Sequence, residues 1–332
     1  MSDIRDISEG ELVEGTGSGP TMHSESLTQE QADMISAGRG EEVKQQLDDQ
    51  AAAKQSGGGG GDQKIRIGVI GDNTVAQAMQ LAFDVKTVDT MIISGLEGID
   101  DLVDWKPGIT FICTPVPLLK NDSVDDAELI NMVNKLIRGC GSGVCIKTSI
   151  NIETIERLIK ALTYEVMTKK VTYNPVFGDD TDIGNILSPA VEYFGGDPEV
   201  IPEHMKIMQH TSVFSAQQFV TGSIFEVAYA KLAVAGFKAV KQTFFNQLHD
   251  AILDTGGANP SIVRRMIEKS PDLTNRDVMI PTFIRGRTDT GISYKQARSF
   301  GGEFENDVRM FASTTDKLPL LDECINYKNL KD

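Results

Sequence analysis

No run of eighteen apolar residues occurs anywhere in the 332-residue chain, so the sequence offers no candidate for a membrane-crossing helix. The N-terminus also lacks the basic, apolar and small-residue succession of a secretory leader. These absences predict a soluble protein, cytoplasmic or otherwise intracellular, with no membrane partner. Cysteine is scarce. Cys113, Cys140, Cys145 and Cys324 show no metal-site spacing, and no metal is expected. Cys113 and Cys145 sit in apolar, strand-like runs and read as small core residues. Positive charge is short as well: 32 Lys+Arg stand against 48 Asp+Glu, a net charge of −16. That sign argues against a nucleic-acid partner, since phosphate binding wants the opposite one.

Aromatic residues are missing altogether from residues 1–63, which carry thirteen Asp/Glu and four Lys/Arg, a net of −9. The segment ends in a glycine run at 57–61, a flexible linker. Such a composition cannot bury enough apolar area to fold alone. Two short helical patterns interrupt it. Thr28 and Gln31 form a capping-box pattern ahead of 32–37, and Val43, Leu47 and Ala51 recur at helical spacing within 41–54. Two readings follow: a disordered acidic tail, or a tether whose short helices order on a partner in a larger assembly.

From Lys64 the texture changes. Apolar strand-like runs at 65–70, 85–88, 109–113, 144–148 and 171–173 alternate with helical patterns at 75–83, 126–137 and 152–162. Alternation of this kind predicts an α/β fold with a Rossmann-like, mostly parallel sheet, placed here at 64–212. A long-helix and all-helical region is expected over 213–332.

The stretch 222–253 has no proline and a single internal glycine, Gly236. It is apolar on most faces, which predicts a buried helix of roughly 45 Å. One small helical domain cannot cover that much apolar surface, so a homodimer packed through this helix is expected. Lys231, Lys238, Gln242 and His249 share one line along the helix, with Asn246 close by. They are either a solvated face or a stripe that points Lys231 into a cleft between domains, where its charge needs a partner.

The strand, glycine loop and helix at 64–83 form the arrangement that sets a helix N-terminus against a pyrophosphate. Of the G-x-G-x-x-G fingerprint only Gly71 survives. Asn73 replaces the second glycine as a residue tolerant of positive φ, and Ala76 is small enough for close helix–sheet packing. Asp72 puts a negative charge beside the expected phosphates. Asp89, expected to close the second strand, is the candidate for the ribose of NAD. The candidate cofactor set is Gly71, Asn73, Thr74, Val75 and Asp89, with Thr114 and Thr148 at the ends of two further strands. The same loop is also compatible with a retained fold whose site is empty.

The ordered set of motifs from Lys64 onward resembles the UDP-glucose/GDP-mannose dehydrogenase family. Phe111-Ile112-Cys113-Thr114-Pro115-Val116-Pro117 is similar to the family's V-P-T-P strand end. Ile146-Lys147-Thr148-Ser149-Ile150 is similar to its I-K-S-T-V/I, and Tyr173-Asn174-Pro175-Val176-Phe177 to its Y-N-P-E-F. The long helix with Lys231 and Phe245-Asn246-Gln247-Leu248 resembles the family's central helix. Ser299-Phe300-Gly301-Gly302 with Asp307-Val308 resembles G-F-G-G-x-C-x-P-K-D.

The resemblance implies NAD as cofactor and oxidation of a nucleotide-sugar alcohol through a cysteine-bound thioester, helped by a lysine, an asparagine and an aspartate. Carried over by residue, Lys231 matches the lysine, Asp307 the aspartate, and Ser149 stands where the family has threonine. Ala235 replaces the asparagine. Val176 replaces a glutamate, with Asp180 as a candidate second acid. Glu303 and Phe304 occupy the place of the missing cysteine. The resemblance implies a third, UDP-holding domain after Asn326, whereas the sequence given runs to Asp332. Two functions therefore stand open: a catalytically degenerate nucleotide-sugar dehydrogenase-like protein with a structural or binding role, and an active NAD-dependent alcohol dehydrogenase.

Overall fold

The computed structural model describes residues 64–83, 88–119, 123–178, 180–209, 215–216, 218–270, 303–314 and 317–331. The acidic extension with its two helical patterns and the glycine motif at 299–302 lie outside these residues. So does most of the strand expected at 85–88.

Among the described residues seven strands form one sheet in the order β2-β1-β3-β4-β5-β6-β7. They are β1 (Ile65–Ile70), β2 (Val88–Ile93), β3 (Ile109–Ile112), β4 (Gly143–Ile146), β5 (Val171–Tyr173), β6 (Val191–Gly195) and β7 (Gln218–Gly222). The first five run parallel. β6 reverses against β5, and β7 runs parallel to β6. All four residues of β3 are buried. Ile109, Phe111 and Ile112 are buried there together with Thr110, whose hydroxyl meets that of Ser142 at 3.2 Å, as expected of a strand covered by helices on both faces.

Those helices are α1 (Thr74–Ala82), α2 (Ile99–Trp105), α3 (Ala127–Cys140), α4 (Ile152–Leu162), α5 (Tyr164–Lys170), α6 (Ile183–Leu187) and α7 (Ile201–Gln209). One face of the sheet is covered by α2, α3, α4 and α5 through Leu102, Met132, Leu158 and Met167. The other is covered by α1, α6 and α7 through Met79, Ile186 and Met208. The result is the three-layer, Rossmann-like α/β architecture that the alternating pattern predicts.

Two strand expectations need correction. The second strand does not end at 88: it continues to Ile93, with Ile65 opposite Val88 and Ile70 opposite Ile93. Asp89 and Thr90 look like a strand end in sequence, yet an edge strand has an exposed side that accepts polar residues. The sheet also runs past 212, because β6 and β7 carry it to Gly222.

The long helix is α8 (Ile224–Thr255), 32 residues and about 48 Å long. It opens with a capping box: the Ser223 hydroxyl accepts from the Glu226 amide, and the Glu226 carboxylate accepts from the Ser223 amide at 2.6 Å. Its polarity is the inverse of a solvated-face reading. Gln242, Thr243 and Asn246 are buried, while Phe237 is 61% and Phe244 56% exposed. The reason is the packing of α10 (Glu303–Thr314) and α11 (Pro319–Lys331) on one side of the helix. There Val308, Cys324 and Ile325 close a small core on Ala235 and Ala239. Gly236 permits the close approach: a Cβ at that position would lie 3.0 Å from the Phe311 ring. The remaining helix, α9 (Pro260–Glu268), follows α8 directly. Among the described residues no helix is long and apolar enough to cross a membrane.

Candidate functional site

The strand order reverses between β1 and β3, and ligands of open α/β sheets bind outside the strand C-termini at such a point. Gly71 leaves β1 there with φ +140°, and a Cβ on it would lie 3.2 Å from both the Thr114 amide nitrogen and the Cys113 Cβ. Only glycine fits without strain. Asn73 does not use a left-handed conformation, contrary to expectation. Its backbone is extended, at φ −81° and ψ 177°, and its side chain caps α1 by accepting from the Ala76 amide. The same side chain donates to the Cys113 carbonyl at 2.8 Å, so one asparagine fixes the helix start to the end of β3. Thr114 donates to the Ile70 carbonyl at 3.4 Å. The Thr74 and Val75 amides are in the first turn, where intrahelical acceptors are lacking.

Asp89 is not part of this loop. It is the second residue of β2, opposite Arg66, at the end of the sheet away from Gly71. It pairs with Lys64 at 3.3 Å, and both side chains are exposed. At the C-terminal end of β2 the chain reads Ser94, Gly95 and Leu96, and Ile93 holds the Gly71 amide through its carbonyl at 2.8 Å. No carboxylate follows that strand directly.

Further along the same edge lies a polar cluster that sequence reading did not single out as a site. Lys147 follows β4 and is nearly sealed, with its side chain 1% exposed. Its ammonium donates to Asn174 Oδ1 at 2.6 Å and lies 3.4 Å from Glu192 Oε1. Asn174 Nδ2 donates in turn to Glu192 Oε1 at 2.7 Å and to the Tyr193 carbonyl at 2.8 Å. A lysine inside the apolar run before Thr148 was the available signal, since a buried lysine requires a carboxylate. Thr148 is buried beside it and Ser149 is half-buried. The next amide, of Ile150, donates to the Tyr173 hydroxyl at 3.3 Å.

On the face covered by α8, Lys231 and Asp307 meet at 2.9 Å, with side chains 12% and 5% exposed. Asp307 Oδ2 makes that contact. Oδ1 is buried and accepts no hydrogen bond. Burial raises the pKa of the Tyr173 phenol, and the Asp307 charge adds to the rise. Phe304 packs toward the Ala235 and Ala239 core. Ala235 is buried in that core too. Asp180 lies in a turn and Val176 packs on the α1 side of the sheet.

The cysteines are all accounted for elsewhere. Burial pushes the Cys113 thiol up to about 12 and the Cys145 thiol to about 11, against a smaller opposing pull from Lys147. Cys324 is also raised by burial. The Cys140 thiol donates to the Leu136 carbonyl within its own helix. Among the described residues no cluster of three metal-ligating side chains occurs.

No protein-family model matches the chain, and no curated protein matches it. Solved structures do. A UDP-D-ManNAc dehydrogenase from Pyrococcus horikoshii superposes with a TM-score of 0.63 at 14% identity, covering 80% of this chain and 69% of that one. A UDP-glucose dehydrogenase from Pyrobaculum islandicum gives 0.61 at 14%, covering 83% and 70%. The 3-hydroxyisobutyrate dehydrogenase of Mycobacterium tuberculosis gives 0.58 at 11%, covering 81% and 94%. At these identities the likeness is one of fold.

Proposed function

We propose that this chain is a nucleotide-sugar dehydrogenase-like protein whose oxidative chemistry is disabled and which acts as a binding or structural component of a larger assembly. The observation that carries this reading is the state of its thiols. A thioester route needs a thiolate facing the substrate, and here Cys113, Cys145 and Cys324 are buried with raised pKa values. The position that the resemblance assigns to the nucleophile holds Glu303 and Phe304, and Phe304 rests in a helical core.

The Gly71 cradle and the first turn of α1 suit a pyrophosphate, with Thr74 and Val75 amides as donors and Thr114 alongside. NAD bound there would supply a hydride acceptor. The protein's part is to hold it: Asn73 fixes the loop, and Thr148 and Ser149 line the far end of the same edge. Asp89 drops out of that set. A homodimer through the exposed aromatic side of α8, and attachment through residues 1–63, complete the proposal.

A second reading is favoured by one detail. Asp307 Oδ1 is buried without a hydrogen bond while Oδ2 holds Lys231. A substrate hydroxyl placed there would find both an acceptor and a cation, as a single hydride transfer from a nucleotide-sugar alcohol requires. Incubating the purified chain with NAD and UDP-glucose, and following NADH, separates the readings. The expected result is no NADH. Two NADH per sugar would overturn the disabled reading, and one per sugar would select the alcohol dehydrogenase. NADH binding by calorimetry reports on the loop independently.

A further inference from the structure

Among the described residues the outermost strand β7, Gln218-Phe219-Val220-Thr221-Gly222, is an edge with no strand on its outer side. It pairs on one side with β6 and is the last strand of the sheet. Natural edges are blunted by charge, proline or a bulge. The opposite edge strand, β2, carries Asp89 in an ion pair, but β7 has neither charge nor proline, and Val220 is 47% exposed.

A cavity of about 660 Å³ opens at the C-terminal end of this strand. Its apolar wall is Pro198, Ile201, Pro202 and Met205, while Thr221 and Glu226 stand at the end of the strand and the first turn of α8. Because β6 runs against β5, the cavity lies toward the end of the sheet where β5 begins, away from the Gly71 loop. Among the described residues the one charged side chain that lines it is Glu226. Asp197 and Glu199 flank Pro198. Hydrogen bonds from Ser223 hold the Glu226 carboxyl below its usual range. Lys169 feels Asp197 and Glu199, but it is bonded to Glu165 at 2.9 Å.

We propose that β7 and this cavity form a docking site for an extended peptide segment of a partner protein. The segment adds a strand to the sheet and sets an apolar side chain, flanked by Lys or Arg, against the cavity. Main-chain pairing supplies affinity in this mode, and pockets beside the strand supply specificity. Glu226 at the rim selects basic flanks and speeds encounter. The inference does not depend on cofactor binding or on the state of the catalytic residues.

The probe is a fluorescein-labelled peptide, Lys-Thr-Val-Leu-Val-Thr-Lys, titrated with the full chain by anisotropy. Saturable binding in the micromolar range is expected. N-methylation of alternate peptide amides should weaken it by about tenfold or more, since it removes the ladder donors. Glu226→Gln keeps the capping box, which accepts Gln at that position, and should weaken binding several-fold while flattening its salt dependence. Val220→Lys, on an exposed site, should weaken it too. A peptide with glutamates in place of the lysines should not bind. The proposal is overturned if no saturable binding occurs, or if the N-methylated or glutamate peptide binds equally well. It is also overturned if light scattering shows a dimer that Val220→Lys dissolves and the peptide displaces, since a second copy is then the occupant.

Discussion

Lys231 on α8 and Asp307 on α10 hold each other at 2.9 Å with their charged ends almost out of water. They are far apart in sequence, and each has a desolvated charge that the other neutralises. Breaking such a pair by removing one partner typically costs about 3–5 kcal/mol, because a buried charge is left behind. Replacing both with apolar residues of similar size is often neutral. Asp307→Asn and Lys231→Met are each expected to lower the urea midpoint clearly, and the double variant Lys231→Met/Asp307→Leu to recover most of the loss. Equal additive losses would show that the two residues do not act as a pair.

The loop and the acid make opposite predictions. Gly71→Ala introduces a Cβ at φ +140° and 3.2 Å from the Thr114 amide nitrogen, a strained placement worth about 1–3 kcal/mol. It should lower stability and reduce NADH affinity by about tenfold, measured by calorimetry. Asp89→Ala should leave that affinity unchanged and cost less than about 1 kcal/mol, as befits an exposed ion pair.

His204 on α7 provides a pH test. Its Nδ1 is 2.6 Å from the Thr172 hydroxyl, and burial, with Lys170 adding to it, brings its pKa down to about 4. An unfolded histidine titrates near 6.5. Between those values the unfolded chain takes up the proton and the folded one does not. The histidine's contribution is therefore present in full above about pH 6.5 and is lost as pH falls toward 4, a span of roughly 3 kcal/mol. Urea midpoints recorded down this range should decline, and His204→Gln should flatten the decline.

The outward side of α8 presents Tyr229, Val234, Phe237 and Phe244 to solvent, with the Lys241 ammonium 5.6 Å from the Phe237 ring centre. A contiguous apolar face of this kind marks an interaction surface. The full chain is expected to be dimeric by light scattering at micromolar concentration, and Phe237→Asp with Phe244→Asp to be monomeric and folded. A monomeric wild-type chain would contradict the prediction.

Much of the fold was legible because it is locally encoded. The apolar run 65–70 is β1 residue for residue, and 152–162 is α4, whose start is fixed by Asn151 capping the Thr154 amide. The long helix follows from its capping box and the absence of breakers over thirty-two residues. Gly71 stood out because a left-handed turn between strand and helix needs it. What periodicity cannot supply is the direction in which a stripe faces. The polar line on α8 turns inward only because α10 and α11 pack there, and the aromatic side turns outward for the same reason. Asp89 reads as a strand end in sequence but lies opposite Arg66 near the start of β2, because strand length on an edge depends on pairing with β1, not on the strand's own residues. The Lys147, Asn174 and Glu192 cluster forms only when β4, β5 and the reversed β6 are brought side by side. Local propensity and patterning therefore determined the elements, while the partners of charged and apolar faces were decided by packing between segments far apart in the chain.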